Sequence, residues 1–454
     1  SLSAPPPSPL PPRRRAGMLT NSTARNVLFI AVDDLRPNIG AYGHKFMMTP
    51  RMDQLAESGT LFQRAYAQYA FCAPSRNSFM TGRRPDMTRA YSFQNHFREP
   101  DVGRKWLSFP QYFRSAGYWA AGAGKLYHPG LPPNFDAADA SGRRLSWDRF
   151  VWGGDCSGST NGWPVLQPHV TNVVCLPAVD ACGGESQSEQ IVYGADGAAV
   201  LWCVQDESKL KAPLVDHVIV DATLEHLRSA AARPAVPFFV AAGLKKPHLP
   251  WYYPTELDAL YPPAEQIAPP RQRYPPEGMP LAAWHEGLVF NNTFVHPTPP
   301  AQARVFRRAY YGAVSFTDRN VGAMLDELSS LQLAERTLVA LVGDHGWQLG
   351  ELDLWRKMSN FELAVRVPLL MRVPWRPASL GRRSGRIVEI VSLYQTIAEL
   401  AGLPPPAERL QGVSFASAFG ADAAVGEAGL AAAAAAAEGT ATWRAAGGAG
   451  AGGA

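Results

Sequence analysis

The chain has 454 residues, of which 46% are hydrophobic and 18% charged, a composition typical of a globular protein with a sizeable core in one or two domains. The net charge of +4 is small and spread along the sequence, so it gives no argument for a nucleic-acid partner. No apolar run approaches the roughly 20 residues that a membrane-spanning helix needs, so no membrane span is expected.

The two ends of the chain differ in composition from its middle. Residues 1–24 are rich in proline, include three consecutive arginines and lack the apolar stretch of a signal peptide, so we expect a disordered leader. Residues 421–454 are mostly alanine and glycine without an amphipathic face, so a disordered tail is expected there. One domain is therefore predicted over residues 25–420.

Strands and helices alternate within this predicted domain. The continuous apolar run Asn26–Val32 is typical of a buried parallel strand, and residues 236–242 and 337–342 repeat the pattern. Helices are predicted between the strands, for example over residues 50–58 and 307–331. This alternation predicts an α/β fold with a largely parallel sheet.

Polar residues follow each of the three predicted strands directly. Asp33 and Asp34 follow the first strand, His248 lies shortly after the second, and Asp344 and His345 follow the third. Because the carboxyl ends of parallel strands meet at one edge of a sheet, we expect these side chains to converge there. Three carboxylates supply hard oxygen ligands, which favours Ca²⁺ or Mg²⁺ over zinc.

Two long insertions are predicted. Residues 130–215 are loop-rich and contain a cluster of four cysteines without zinc-type spacing, which predicts disulfides with three possible pairings and an oxidising compartment. These cysteines are Cys156, Cys175, Cys182 and Cys203. Residues 250–300 are rich in proline and aromatic residues, and they either build binding specificity or decorate a sheet edge.

The remaining cysteine begins the most informative motif of the chain. Residues 72–76 read Cys-Ala-Pro-Ser-Arg, with proline two and arginine four positions after Cys72. This pattern resembles the signature of the sulfatase family, in which the cysteine is oxidised to formylglycine. Considered alone, such a cysteine is more often a buried thiol or half of a disulfide. The resemblance extends over residues 26–413, and it is strongest in residues 26–89, 124–130, 245–250 and 343–369.

The resemblance implies a metal site at the predicted sheet edge. Asp33, Asp34, Asp344 and His345 resemble the calcium ligands of the family, and an oxygen on the modified Cys72 completes the set. Mg²⁺ is the alternative ion. The histidine follows a subgroup of the family that has this residue where many members have asparagine.

The resemblance also implies catalytic roles for five side chains. Arg76 and Lys125 resemble the cations that hold the aldehyde hydrate and the sulfate, and His128 resembles the histidine that handles a hydrate proton. Together with Lys125, His248 and Lys357 resemble substrate-binding residues, and His248 resembles the donor to the leaving oxygen. Because a sulfate monoester repels nucleophiles, its charge must be neutralised before attack. Histidines that titrate near neutral pH suit the proton transfers.

The implied fold is that of the alkaline phosphatase superfamily, an α/β three-layer sandwich with a largely parallel central sheet. The sequence beyond residue 413 matches little of the smaller C-terminal subdomain of the family, so that subdomain is expected to be reduced or missing. Trp347 is either a further substrate-binding residue or a core residue. The implied activity is formylglycine-dependent hydrolysis of sulfate monoesters, with a 2-O-sulfated uronate or another sulfated carbohydrate as substrate.

Two alternatives stay open at this point. The chain could hydrolyse phosphate or phosphonate esters, as relatives in the superfamily do, or it could be an inactive, truncated remnant that binds sulfated glycans. The sulfatase interpretation implies a formylglycine-generating enzyme as a partner during maturation. It also implies a secretory-pathway protein, extracellular or lysosomal/vacuolar, although no signal peptide is visible.

Overall fold

The computed structural model describes residues 25–93, 95–128, 136, 138–139, 141–153, 173–176, 185–188, 191–193, 199–285, 290 and 292–420. The predicted leader and tail, and any C-terminal subdomain beyond residue 420, lie outside the described residues. Of the four clustered cysteines, Cys203 is described and is disulfide-bonded. The side chains of Cys156, Cys175 and Cys182 lie outside the described set.

The chain alternates between strands and helices over most of its described length. The strands are β1 (Asn26–Val32), β2 (Thr60–Tyr66), β3 (Trp119–Gly124), β4 (Arg149–Gly153), β5 (Val173–Leu176), β6 (Glu185–Ser188), β7 (Ile191–Tyr193), β8 (Ala199–Val200), β9 (Trp202–Gln205), β10 (Phe238–Leu244), β11 (Trp251–Pro254), β12 (Thr337–Gly343), β13 (Gln348–Leu349), β14 (Trp355–Arg356), β15 (Arg366–Arg372) and β16 (Arg382–Glu389). The α-helices are α1 (Pro50–Glu57), α2 (Cys72–Thr81), α3 (Pro85–Thr88), α4 (Phe109–Ser115), α5 (Val215–Ala231), α6 (Thr255–Asp258), α7 (Pro300–Ser330), α8 (Glu362–Val365) and α9 (Leu393–Leu400).

A nine-stranded sheet organises the described part of the chain, in the order β16-β2-β15-β12-β1-β10-β3-β4-β5. All its neighbouring pairs are parallel except the two that β15 makes, with β12 and with β2, so β15 alone runs against the other eight strands. The prediction of a largely parallel sheet is therefore confirmed. β1 lies at its centre, and all seven of its residues are buried.

Helices cover both faces of the sheet, and β1 shows how the sequence builds the two interfaces. Leu28 and Ile30 point into a core that also includes α1, α5 and α7, whereas Val27 and Phe29 point into a second core with α2, α4 and α9. Because side chains alternate along a strand, one continuous apolar run serves both cores. The predicted three-layer α/β sandwich is confirmed.

The boundaries of several predicted elements differ from the structure. The second predicted strand begins two residues later than expected, at Phe238, and the long helix begins seven residues earlier, at Pro300. Proline suits the first turn of a helix because it has no N–H to leave unpaired, so Pro300 marks a start and not a break. Within the predicted insertion over residues 250–300, Trp251 and Tyr252 are fully buried, so part of this segment belongs to the core. None of the described helices combines the length and the apolar character required to cross a bilayer.

Candidate active site

The loops after β1 and β12 bring two carboxylates together at the carboxyl edge of the sheet. β1 and β12 are parallel neighbours, and the N–H of Asp344 donates to the carbonyl of Val32 at 3.0 Å. The N–H of Asp34 in turn donates to Oδ1 of Asp344 at 3.0 Å. Asp34 has a φ of 61°, a left-handed conformation that costs about 1–3 kcal/mol outside glycine and is often found at functional sites.

The thiol of Cys72 lies within this carboxylate cluster. Phe71 caps α2 in an extended conformation, and Cys72 is the first residue of the helix. Its Sγ lies 3.3 Å from Oδ1 of Asp33 and 3.3 Å from Nε2 of His345, and it accepts a hydrogen bond of 2.9 Å from Nζ of Lys357. Burial raises the pKa of the Cys72 thiol, and the charge of Asp33 raises it further, so the unmodified side chain is neutral at pH 7.

Three buried cations pair with the three carboxylates, so the charges of these six side chains cancel. The pairs are Lys125 Nζ with Asp33 Oδ2 at 2.7 Å, Lys357 Nζ with Asp34 Oδ1 at 2.7 Å, and Arg76 Nε with Asp344 Oδ2 at 2.9 Å. None of the six side chains is more than 4% exposed. Such pairing is what makes ionised groups tolerable in a protein interior.

The pKa values of the carboxyls reflect a balance between burial and these cations. At Asp33, burial raises the pKa, but Lys125 and the other nearby cationic groups outweigh it and hold the pKa well below the usual range. At Asp34 burial outweighs the effect of Lys357 and raises the pKa to about 6. At Asp344 burial likewise outweighs the nearby Arg76 and raises the pKa to about 7. At Asp34 and Asp344 the nearby cations therefore do not fully compensate for the cost of burying an ionised carboxylate.

The histidines of the site are buried and neutral. Nδ1 of His345 lies 2.9 Å from the carbonyl of Gly346, and Nδ1 of His248 lies 2.6 Å from that of Leu249. Since a carbonyl only accepts, both Nδ1 atoms carry the proton and both Nε2 atoms present a lone pair. Burial lowers the pKa of both imidazoles. His248 Nε2 is 4.0 Å from Oδ2 of Asp34, within the same cluster.

His128 is also buried, at the end of the loop that follows β3. Its ring stacks on Phe93 with the centroids 4.3 Å apart and the planes inclined by 14°. The aromatic face fixes the orientation of the imidazole. The role of Phe93 could not be predicted, because the contact joins positions that are 35 residues apart in loops.

Four side chains form a group that could hold a metal ion. One ligand atom from each of Asp33, Asp34, Cys72 and His345 lies within 4.8 Å of the others. Oδ2 of Asp34 is buried without a hydrogen-bond partner, which is an unfilled acceptor inside the group. The fifth predicted ligand, Asp344, lies beside the group, with Oδ1 accepting backbone N–H groups and Oδ2 bound by Arg76. The carboxylates suit a divalent cation that prefers oxygen ligands, whereas Sγ of Cys72 and the imidazole of His345 are softer donors, so the fit to such an ion depends on an oxygen at residue 72.

Trp347 is 1% exposed and contributes to the core, where it packs edge-on against Trp251. Nζ of Lys357 lies 5.5 Å from the centre of its ring, within the range of a cation–π contact. The structure thus places Trp347 behind Lys357 as a core residue. Its role as a substrate-binding residue stays a prediction.

A set of contacts around the backbone of Asp34, made by Tyr310, Arg36 and Glu351, was not predicted from the sequence. The hydroxyl of Tyr310 donates to the carbonyl of Asp34 at 2.9 Å and accepts from the N–H of Arg36 at 3.1 Å. Arg36 also pairs with the partly buried Glu351 at 3.1 Å. These contacts hold the strained turn of Asp34 in place. Arg36 and Glu351 belong to the segments that matched the family, but nothing in the local sequence shows that they meet.

A cavity of about 680 Å³ lies beside the site. Two of its lining residues, Phe71 and Met358, are the immediate neighbours of Cys72 and Lys357, and aromatic side chains such as Tyr91 and Trp284 form other walls. Its position offers a route by which a ligand could reach the buried cluster. Aromatic faces also suit contact with the apolar faces of sugar rings.

Comparison with known proteins places this arrangement in context. The family model for sulfatases matches residues 25–403. Human iduronate 2-sulfatase is 37% identical over 424 residues, which cover 85% of this chain and 71% of that protein. Mouse iduronate 2-sulfatase is 35% identical over 422 residues, which cover 84% of this chain and 70% of the mouse protein. A phosphonate monoester hydrolase from Silicibacter pomeroyi has a similar structure, with a TM-score of 0.62 over 87% of this chain and 76% of that one. At 19% identity this last similarity shows a shared fold and no more.

Proposed function

The chain belongs to the sulfatase family and is a sulfuric ester hydrolase, and we propose that it hydrolyses a 2-O-sulfated uronate, or another sulfated carbohydrate, by means of a formylglycine made from Cys72. The relatives at 35–37% identity are iduronate 2-sulfatases, which motivates the choice of substrate class. The catalytic domain in this proposal corresponds to residues 25–420.

One observation carries the proposal: the buried Cys72 thiol lies against Asp33, His345 and Lys357 at 2.9–3.3 Å. A catalytic thiolate needs a lowered pKa, whereas burial and Asp33 raise the pKa of this thiol. The position is thus poorly suited to thiolate chemistry and well suited to a side chain that becomes reactive only after modification. A formylglycine at this position would, as its hydrate, supply one hydroxyl to attack sulfur as the alcohol leaves, and the second hydroxyl would then expel sulfate and restore the aldehyde.

The neighbouring side chains support this role through charge. Lys125, Lys357 and Arg76 bring three positive charges to the site, and we propose that Lys125 and Lys357 hold the oxygens of the sulfate while Arg76 orients residue 72. Nε2 of His248 faces the cluster, and the negative charge of a bound sulfate ester would favour protonation at that atom. His248 then donates a proton to the leaving oxygen, and His128 exchanges the proton of the attacking hydroxyl.

We further propose that Asp33, Asp34, Asp344, His345 and residue 72 hold a calcium ion, with Mg²⁺ as the alternative. The unpartnered Oδ2 of Asp34 and the oxygen-rich ligand set support this choice. The ion, when bound, supplies positive charge to the sulfate oxygens and so lowers the barrier to attack on sulfur. The three cations of the chain share that task, which allows the carboxylates to bind the ion without leaving the site negative.

Maturation in the secretory pathway follows from the same proposal. Formylglycine requires a formylglycine-generating enzyme that acts on residues 72–76, and the disulfide at Cys203 is consistent with an oxidising compartment. The protein would work outside the cell or in a lysosome or vacuole.

The chemical state of residue 72 tests the proposal. The protein is produced in a secretory host that contains a formylglycine-generating enzyme, and peptides spanning residue 72 are analysed by mass spectrometry. Formylglycine at this position is expected, together with turnover of an aryl sulfate that falls below detection in Cys72→Ala and Cys72→Ser. An unmodified thiol throughout would refute the proposal. Parallel assays with an aryl phosphate and an aryl phosphonate test the alternative chemistry, and a preference for either would overturn the sulfatase assignment.

A further inference from the structure

Among the described residues, Arg356 is a buried cation beside the candidate active site that lacks a hydrogen-bond or ion-pair partner. It lies on β14, one residue before Lys357, and is 6% exposed. Within the described part of the chain its guanidinium makes no ion pair and no hydrogen bond, and its Nε is fully buried without an acceptor. The other three cations of the site each have a carboxylate partner at 2.7–2.9 Å.

The ribbon formed by β13 and β14 explains the position of Arg356. Leu349 pairs with Trp355, and Trp355 stacks on Phe290 in the core with the ring centroids 4.7 Å apart. Arg356 follows Trp355 directly and pairs with Gln348 across the ribbon. Burial lowers the pKa of its guanidinium, and the groups that raise it are Asp34 and Cys72. Its charge therefore acts on the active-site side of the ribbon.

Arg356 carries two costs, and the residues that the structure describes supply no direct counter-ion to offset them. A buried charge without a counter-ion is unfavourable, and the φ of 68° at this residue is in the left-handed region that glycine prefers. Since the three carboxylates of the site already balance the other three cations, the positive charge of Arg356 is in surplus. Strained and uncompensated groups that persist beside a reaction centre are candidates for ligand binding.

We propose that Arg356 binds a second anionic group of the substrate, the carboxylate of a uronate, while the sulfate ester lies against Lys357 and residue 72. This inference rests on the proposed function and narrows its substrate to a sulfated sugar that also carries a carboxylate. The planar guanidinium can present two parallel N–H groups to the two oxygens of a carboxylate. A second sulfate would offer the same charge without the planar match.

Three substrates and one variant test this assignment. The substrates are a 2-O-sulfated uronic acid glycoside of 4-methylumbelliferone, the same glycoside with its carboxylate reduced to a hydroxymethyl group, and that reduced glycoside with a second sulfate in its place. Wild-type protein is expected to prefer the carboxylate in kcat/KM by about 10- to 100-fold, the usual range for a hydrogen bond to a charged group. Arg356→Gln is expected to lose this preference. An unchanged preference in the variant overturns the proposal, and a wild-type preference for the second sulfate overturns the choice of a carboxylate.

Two controls separate a role of Arg356 in substrate recognition from an effect on folding and from an effect of net charge. Arg336 is exposed and directly precedes β12, at the opposite end of that strand from the site, so Arg336→Gln removes the same charge and is expected to keep the wild-type preference. The melting temperature of Arg356→Gln is expected to equal or exceed that of the wild type, because the substitution removes an unpaired buried charge. A clearly lower melting temperature would show that the guanidinium supports the fold and would overturn the assignment.

A binding measurement keeps this test independent of turnover. Calorimetric titration of Cys72→Ala with the three glycosides is compared with titration of the double variant Cys72→Ala/Arg356→Gln. The carboxylate is expected to tighten binding only where Arg356 is present, and equal affinities in both proteins would overturn the proposal. A wild type that hydrolyses no sulfate ester but shows this difference in binding would refute the proposed function and leave the role of Arg356 standing.

Discussion

Replacing Lys357 by methionine tests whether Asp34 can bind a metal ion. Nζ of Lys357 donates to Oδ1 of Asp34 at 2.7 Å and to Sγ of Cys72 at 2.9 Å, and the side chain is fully buried. Methionine fills a similar volume without the charge. Because Oδ2 of Asp34 already lacks a partner, the substitution leaves a buried carboxylate with neither a cation nor a donor on its two oxygens.

The expected loss in the free energy of unfolding follows from that arrangement. Removing one member of a buried ion pair typically costs about 3–5 kcal/mol of unfolding free energy. Asp34, whose pKa is raised to about 6, can relieve part of this cost by taking up a proton, so we expect about 3 kcal/mol at neutral pH without metal. Bound Ca²⁺ would supply the missing positive charge, so the loss in the presence of Ca²⁺ is expected to be smaller by more than about 1 kcal/mol.

Urea unfolding, followed by tryptophan fluorescence, measures the loss in the free energy of unfolding twice, once with excess Ca²⁺ and once with a chelator. Arg336→Gln serves as the control, because it removes one positive charge at the far end of β12 and should respond equally in both conditions. Turnover of an aryl sulfate in excess Ca²⁺ should still fall by about 10²- to 10³-fold in Lys357→Met, since the ion does not replace the positive charge that Lys357 brings to the sulfate. An equal loss of stability with Ca²⁺ and with chelator would refute the reasoning that Asp34 is a metal ligand.

Three further predictions concern the structure around the site. Glu351→Gln should lower the free energy of unfolding by about 3 kcal/mol at pH 7, because its two arginine partners outweigh burial and lower the pKa of Glu351 from 4.5 to about 2. This stabilisation is fully present above pH 4.5, so the difference from wild type should vanish as the pH falls towards 2 in urea titrations, and a difference independent of pH would contradict the cause. Arg98→Met leaves the buried Asp136 without its partner at 2.7 Å and should cost about 3–5 kcal/mol, part of it recovered in the double variant with Asp136→Asn, which removes the charge at a position whose φ of 46° asparagine tolerates, again by urea unfolding. Gly243→Ala would place its Cβ 2.1 Å from a backbone oxygen of the loop after β3 and should reduce aryl sulfate turnover strongly, whereas Gly153→Ala, with 3.4 Å of room, should change it little.

The fold could be predicted from the sequence where local pattern determines structure. Asn26–Val32 was predicted as a buried strand because a strand with helices on both sides must be apolar at every position. The direction of β15 could not be predicted, since Arg366–Arg372 has the same kind of apolar run as the parallel strands β1 and β12, and yet it runs against them. Strand direction depends on how the chain returns to the sheet, and that information is spread over the connecting segments.

The site was predictable to the extent that it lies at strand ends. Asp33, Asp34 and Asp344 directly follow neighbouring parallel strands, so their convergence follows from the topology. Lys357 does not directly follow a strand of the central sheet. It reaches Cys72 through the β13–β14 ribbon, and only the resemblance to a family pointed to it.

The net charge of the whole chain carries no information on the substrate, whereas the role proposed for Arg356 draws on the distribution of buried charge. Exchanging Arg356 with a neutral surface residue would leave the net charge at +4, yet it would remove the one described cation of the site that no carboxylate balances. With a divalent cation bound, the site would hold a surplus of positive charge in a region of low polarisability, where each charge acts strongly. A substrate with one sulfate would leave part of that surplus unpaired. A substrate with a sulfate and a carboxylate would pair more of it, which is why the position of Arg356 favours a sulfated uronate over a neutral sulfated sugar.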